Sequence, residues 1–332
     1  MINHLRQWFG SKAVQGRIVT PGSTPLIIGP WLGEVGPELQ YWIPWLTKLQ
    51  QRGELAGRRL IVVSRGGAEP WYRHITNEYV DAYDVLTHAE LRQIRTERPT
   101  EKQFAWTPGE QNLVQQAAAK LGVTEYTTLH PFSLWKNILL YFQERQPLSW
   151  LLDRLAFQQI RETAITEAAA RLTLPSLPEE YIVARLYVSD LFPASPANQQ
   201  FVKTMFERLA ANHPVVALTN QQQLDDHGVF PLPSLPNVYP VLIDKDIRTN
   251  LALQTVIMAR GQAFVGTYGG LTVLPGFLGK PCYGFIGADL ASQQALHFRH
   301  EAVTHHLYQI STHQPYLVQT VQAWQQLQSL VS

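Results

Sequence analysis

The run from Phe264 to Gly279 constrains the fold more than any other stretch of the chain. It reads as a short apolar strand, a glycine turn and the opening of a helix. Gly266, Gly269 and Gly270 allow a ligand close to the backbone, and the hydroxyls of Thr267 and Tyr268 are expected to point the same way. The first turn of such a helix presents N–H groups with no intrahelical partner and the positive end of the helix dipole, which together favour a phosphate. The Gly-Lys-Ser/Thr signature of a P-loop is absent. A second turn of similar design, from Gly29 through Pro30, Trp31, Leu32, Gly33, Glu34 and Val35 to Gly36, follows an apolar run at 25–29. Two such turns, one near each end, predict two Rossmann-like halves facing a shared cleft.

The spacing of apolar residues supports this layout. Strands are expected at 25–29, 59–64 and 80–86, with a helix from about Pro37 whose stripe is Leu39, Trp42, Ile43, Leu46 and Leu49. Residues 88–172 read as mostly helical. Pro108 with Glu110 marks one helix start, Gly122 ends that helix, and 147–172 reads as one long helix. The proline-spaced segment 174–180 is the best domain boundary, giving domains 1–174 and 175–332. The second half then alternates: strand 181–188, helix 196–212, strand 214–219, strand 237–243, helix 249–260, strand 263–266, helix 270–278 and strand 282–286. A helix is expected in the glutamine-rich tail, 319–328. Alternating strands and helices with right-handed crossovers make an α/β, doubly wound parallel sheet.

Charge and cysteine content narrow the function. Lys plus Arg is 27 and Asp plus Glu is 26, so the chain lacks the basic field that nucleic-acid binding requires. The one cysteine, Cys282, excludes an internal disulfide and a multi-cysteine metal site, and fits a cytoplasmic protein. No run approaches the ~18 apolar residues of a spanning helix, so membrane contact is at most peripheral. The eleven histidines form no His-x-x-x-His pair, and no resident metal or cofactor is expected.

In open α/β sheets, ligands bind beyond the carboxyl ends of the strands, which directs attention to residues just after predicted strands. Arg185 interrupts an otherwise apolar strand. A buried guanidinium needs a carboxylate or an anionic ligand, and Asp190, Asp244 and Asp246 are the protein candidates. Arg248 precedes a helix and could reach the same cleft. Glu34 in the first turn could accept a proton from a hydroxyl or simply favour the helix dipole. Glu38, at helical spacing from it, reads as a solvated partner. Trp31 could stack on a sugar or base.

These motifs resemble a known group. The chain looks like a GT-B-type glycosyltransferase, distantly similar to the heptosyltransferase and O-fucosyltransferase-like branches. The turn with Gly33 and Glu34 resembles the acceptor-side loop that carries an acidic residue. Gly266, Thr267, Tyr268, Gly269 and Gly270 resemble the donor-side loop, and Arg185 the basic residue paired with donor phosphates. The His-x-Arg-x-x-Asp pattern of fucosyltransferase relatives and the spaced Glu pair of the commonest retaining branch are both missing. The resemblance implies metal-independent transfer of a sugar from a nucleotide-sugar donor to a hydroxyl acceptor, with Glu34 as base and Trp31 and Gly33 on the acceptor side. A nucleotide-sugar epimerase and a non-catalytic binding or scaffold protein of the same fold are the alternatives.

Overall fold

Three consecutive aliphatic side chains, Leu26, Ile27 and Ile28, are all buried, as expected of a strand covered on both faces. They form β1 (Leu26–Ile28) of the first of two units. The computed structural model describes residues 22–98, 103–220, 228–287, 294–311 and 314–323, and the chain divides into Met1–Gln158 and Gln159–Ser332. In the first unit β1 lies between β2 (Leu60–Ser64) and β4 (Thr127–Leu129), with β3 (Glu78–Asp81) outside β2. All pairings are parallel, and the order is β3-β2-β1-β4.

The helices of this unit start and stop where their chemistry says they should. After β1, a turn at Val35–Pro37 passes into a π-helical segment, Glu38–Trp42, and then into α1 (Ile43–Gln51). A short α2 (Glu69–Tyr72) follows β2. Reciprocal capping boxes, Thr87 with Glu90 and Thr107 with Glu110, open α3 (His88–Thr96) and α4 (Pro108–Lys120). Gly122, at φ +65°, ends α4 as expected. α5 (Pro131–Phe142) and α6 (Leu148–Leu152) complete the unit. Ile27, Val63 and Val80 of the sheet meet Leu91, Leu113 and Ala117 of α3 and α4 in one core.

The second unit contains α7 (Glu162–Ala170), β5 (Ile182–Arg185), β6 (Tyr187–Val188), α8 (Pro196–Asn212), β7 (Val215–Thr219), β8 (Gly228–Val229) and β9 (Val238–Leu242). Then come α9 (Asn250–Arg260), β10 (Ala263–Thr267), α10 (Leu274–Phe277), β11 (Cys282–Ile286), α11 (Gln294–Ser311) and β12 (Tyr316–Thr320). Its six-stranded sheet is parallel throughout, in the order β12-β11-β10-β5-β7-β9. Read from β9, this is the 3-2-1-4-5-6 order of a Rossmann fold, with the topological switch between β5 and β10. Both units are therefore α/β and Rossmann-like.

Several local expectations are corrected. Strand 80–86 is β3 at 78–81; Ala82–Asp84 turns instead into a 3-10 helix, because the Asp81 side chain accepts the Tyr83 N–H. The single helix over 147–172 is two, α6 and α7. Between them the backbone bonds elsewhere: Ala156 N–H donates to the Pro44 carbonyl and Ile160 N–H to the Phe277 carbonyl. α7 packs against α9, so it lies in the second unit, ahead of the proline-spaced segment. Strand 181–188 breaks at Leu186 into β5 and β6, and β6 pairs antiparallel with β8. In the tail, residues 316–320 are strand β12 and 321–323 are helical; 324–328 lie outside the described residues. Among the described residues, no helix is long and apolar enough to cross a membrane.

Candidate functional site

In the second unit, Arg185 ends β5 and pairs in register with Gly266 of β10, so the basic residue and the glycine turn flank the switch point. Arg185 donates through Nη1 to Oε1 of Gln254, a buried residue of α9, and its guanidinium lies 5.5 Å from the centre of the Tyr187 ring. Gln254 in turn donates to the Asn250 carbonyl at 3.3 Å. The amide oxygen of Gln254 thus orients the guanidinium beside the turn.

The glycine turn is built differently from expectation. Thr267 is fully buried, and its hydroxyl donates to the Tyr187 carbonyl and accepts the Tyr187 N–H, each at 3.0 Å. It replaces backbone pairing where β5 breaks. Tyr268 is also buried, its N–H on the Phe285 carbonyl at 2.9 Å, and burial raises its phenol above the ordinary value. Neither hydroxyl is the outward donor expected. Gly266 is glycine because a Cβ there would stand 2.6 Å from the Arg185 carbonyl oxygen, and one at Gly269 would collide with the Tyr187 hydroxyl. The turn continues as a 3-10 helix, Gly270–Thr272, closed by Thr272 Oγ1 and N–H on the Gly269 carbonyl at 2.7 and 3.0 Å. Among the described residues, no hydrogen-bond acceptor takes the N–H groups of Gly269, Gly270 or Leu271. The backbone, not the hydroxyls, offers donors here. Arg248 is exposed on the loop after β9, its N–H on Asp246 Oδ1 at 2.9 Å, and it shares no hydrogen bond with Arg185 or the glycine turn among the described residues.

In the first unit, the turn after β1 passes beneath β2. Gly29, at φ +117°, lies so close under the Val63 carbonyl that a Cβ has no room, and the Trp31 N–H donates to that carbonyl at 3.0 Å. Gln103, buried, holds the next residues: its Nε2 donates to the Pro30 carbonyl at 2.7 Å and its Oε1 accepts the Leu32 N–H at 2.9 Å. Trp31, expected to offer a stacking face, is 1% exposed. It stacks on Trp42 at 5.7 Å between ring centres, and Trp135 closes its other neighbourhood at 6.4 Å. Glu34 is exposed on extended backbone just before the helical segment, and its side chain makes no capping bond. The Gly33 carbonyl accepts a hydrogen bond from Arg65.

Glu38 is the residue most misread from sequence. It is fully buried, not solvated. Its Oε1 accepts from Ser64 Oγ at 2.7 Å and Tyr72 Oη at 2.5 Å, and its Oε2 from Arg65 Nη1 at 2.9 Å. Burial raises its carboxyl above the ordinary range, and the charge of Arg65 with the hydrogen bonds of Tyr72 and Ser64 only partly offsets this. A signal was present: Glu38 shares the helical face of Trp42 and Trp45, at spacings of four and seven, and a glutamate on an apolar stripe needs a buried partner. The second unexpected cluster is Glu110, fully buried, with Arg98 at 3.0 Å and His130 Nε2 at 3.4 Å. His130 Nδ1 accepts the Phe132 N–H, so its Nε2 carries the proton toward Glu110, and burial lowers its pKa. Among the described residues, no group of His, Cys, Asp and Glu has the arrangement of a metal site.

No family model matches the chain, and no curated protein matches it in sequence. Among solved structures it is similar to a glycosyl transferase family 9 protein from Veillonella parvula, at 12% identity over 95% of this chain and 91% of that one, with a TM-score of 0.44. It is similar to E. coli ADP-heptose lps heptosyltransferase II at 13% identity, over 85% of this chain and 99% of that one, with a TM-score of 0.44. It is also similar to UDP-GlcNAc 2-epimerase from Methanocaldococcus jannaschii at 9% identity, over 88% and 93%, with a TM-score of 0.37.

Proposed function

We propose that this chain is a GT-B-type glycosyltransferase that moves a sugar from a nucleotide-sugar donor to a hydroxyl acceptor. The observation that carries the reading is the pairing of Arg185 with Gly266 at the switch point of a 3-2-1-4-5-6 sheet, with three backbone N–H groups at Gly269, Gly270 and Leu271 lacking an acceptor among the described residues. Rossmann-like sheets place ligands at that position, and amides beside a guanidinium suit a diphosphate. Arg248 is a further cation on the same carboxyl edge.

In this reaction the bond between the sugar's anomeric carbon and the diphosphate oxygen breaks, and a bond to the acceptor oxygen forms. Negative charge grows on the leaving nucleoside diphosphate. Donors already aimed at it stabilise that charge without reorganising, so the amides and Arg185 do this work with no metal called upon. The acceptor hydroxyl must lose its proton, and Glu34 is the proposed base, exposed and without a capping bond. Gly33 shapes the acceptor-side turn beside it. Excluding water matters because hydrolysis of the donor competes with transfer.

Calorimetric titration with nucleoside diphosphates and their sugars tests the reading. One base type should bind, and Arg185→Ala should weaken it by about tenfold or more, the worth of one charge-assisted contact. No heat with any nucleotide at millimolar concentration would overturn it.

A further inference from the structure

We propose that Arg65 and Glu38 are positioning residues that hold the backbone of the turn carrying Glu34. The clamp is a matter of geometry on the first unit alone; its catalytic consequence rests on the proposed role of Glu34 as base.

Arg65 opens the glycine turn that follows β2, with Gly66 and Gly67 both at positive φ. Its planar fork spans two partners: Nη1 on Glu38 Oε2 at 2.9 Å and Nη2 on the carbonyl of Gly33, the peptide immediately before Glu34. Glu38 cannot swing, because Ser64 from β2 and Tyr72 from α2 both donate to its other oxygen. The same segment is tied at three more points. Trp31 N–H donates to Val63, the Trp31 indole N–H donates to the Glu34 carbonyl at 3.1 Å, and the Glu38 N–H returns to that carbonyl at 3.4 Å. Every tie is to backbone or to Glu38. The Glu34 carboxylate is left at the surface on a backbone that is fixed on both sides.

A buried ion pair is weak evidence for stability, because desolvating both charges offsets most of their attraction. What this one secures is position. A base carried on a loop must be held to within a fraction of an ångström, and supporting contacts to the loop backbone are the usual means. The interruption of α-helical geometry at Glu38–Trp42 belongs to the same device, since it occurs where the Glu38 side chain must reach β2.

Arg65→Lys separates the clamp from mere charge. A lysine keeps the positive charge opposite Glu38 but lacks the rigid planar fork whose two separate nitrogens reach Glu38 and the Gly33 carbonyl at once. Two measurements on the full chain are needed: amide hydrogen exchange, and transfer kinetics with the donor identified by calorimetry. In Arg65→Lys, exchange at residues 33–38 should accelerate by about tenfold, with the rest of the unit unchanged. Turnover should fall about tenfold while the donor dissociation constant holds. Tyr72→Phe, which keeps the ring and removes one donor to Glu38, should show both effects more weakly and covers failure of Arg65→Lys to fold. Arg59→Lys, on the exposed pair with Glu78 at the other end of β2, should change neither. Unchanged exchange at 33–38 overturns the clamp. Accelerated exchange with unchanged turnover overturns its catalytic role. A wild-type protein that transfers no sugar overturns the transferase reading and with it that role, while the exchange result still decides the clamp.

Discussion

Gly266 and Arg185 are opposite one another on adjacent parallel strands, and a Cβ on Gly266 would stand 2.6 Å from the Arg185 carbonyl oxygen. The proposed phosphate cradle and its basic residue are thus one packed unit. Gly266→Ala must push the two strand ends apart, against the Phe264 ring as well. It should destabilise the protein by about 2 kcal/mol, read as a lower urea midpoint at unchanged slope. Wild-type stability in Gly266→Ala would show that the strand ends yield freely.

Gly269 and Tyr187 should be coupled. A methyl group at 269 collides with the Tyr187 hydroxyl, whereas the ring carbon bearing that hydroxyl is 3.5 Å away, an ordinary contact. Gly269→Ala alone should cost roughly 1–3 kcal/mol, and Tyr187→Phe should recover about 1 kcal/mol or more of it in the double variant. Strict additivity of the two substitutions would contradict this packing.

Thr267→Val conserves shape and removes the hydroxyl that serves both the N–H and the carbonyl of Tyr187. Two buried backbone groups lose the hydrogen bonds that this hydroxyl supplies, so the cost should be about 2–4 kcal/mol in a denaturant melt. Thr267→Ser keeps the hydroxyl and should recover most of that loss. Equal losses in the two variants would assign the effect to packing of the methyl group instead.

Asp81 gives the first unit a pH signature. Burial pushes its carboxyl from 3.8 up to about 6, although it accepts N–H groups from Gly67 and Tyr83 at 2.8 and 3.0 Å. Between those values the folded chain holds the proton and the unfolded chain has lost it. Stability contributed by the protonated group is therefore present at low pH, falls as pH rises from about 4 to 6, and levels off above. The shift corresponds to roughly 2–3 kcal/mol. Relative to wild type, Asp81→Asn should gain stability by that order across the window in urea melts at pH 4 to 7. A difference that is constant with pH would refute the shift.

The regular elements were largely legible from local pattern. α8 runs over Pro196–Asn212 as expected, because Ser195 caps it and Pro196 suits the first turn. The switch-point elements, β5, β10 and the turn after each, were also found from apolar runs bounded by glycine and charge. Short strands escaped. β4 is three residues, one of them exposed, and β8 is two; neither has enough length for a period to show. β12 lay hidden because the spacing of Val321, Trp324 and Leu327 suggested a helix reaching back to residue 319.

Glu34 and Glu38 show where local reading stops. The chain by itself determined an α/β protein with two glycine turns after apolar strands, because strand and helix periods and turn chemistry act between near neighbours. Which glutamate faces water was decided only when β2 brought Ser64 and Arg65, and α2 brought Tyr72, against Glu38. The same holds for Thr267, whose hydroxyl was claimed by Tyr187 from another strand. A polar side chain goes where its hydrogen bonds are satisfied, and these partners, 26 to 80 residues away in sequence, meet it only through sheet order and register.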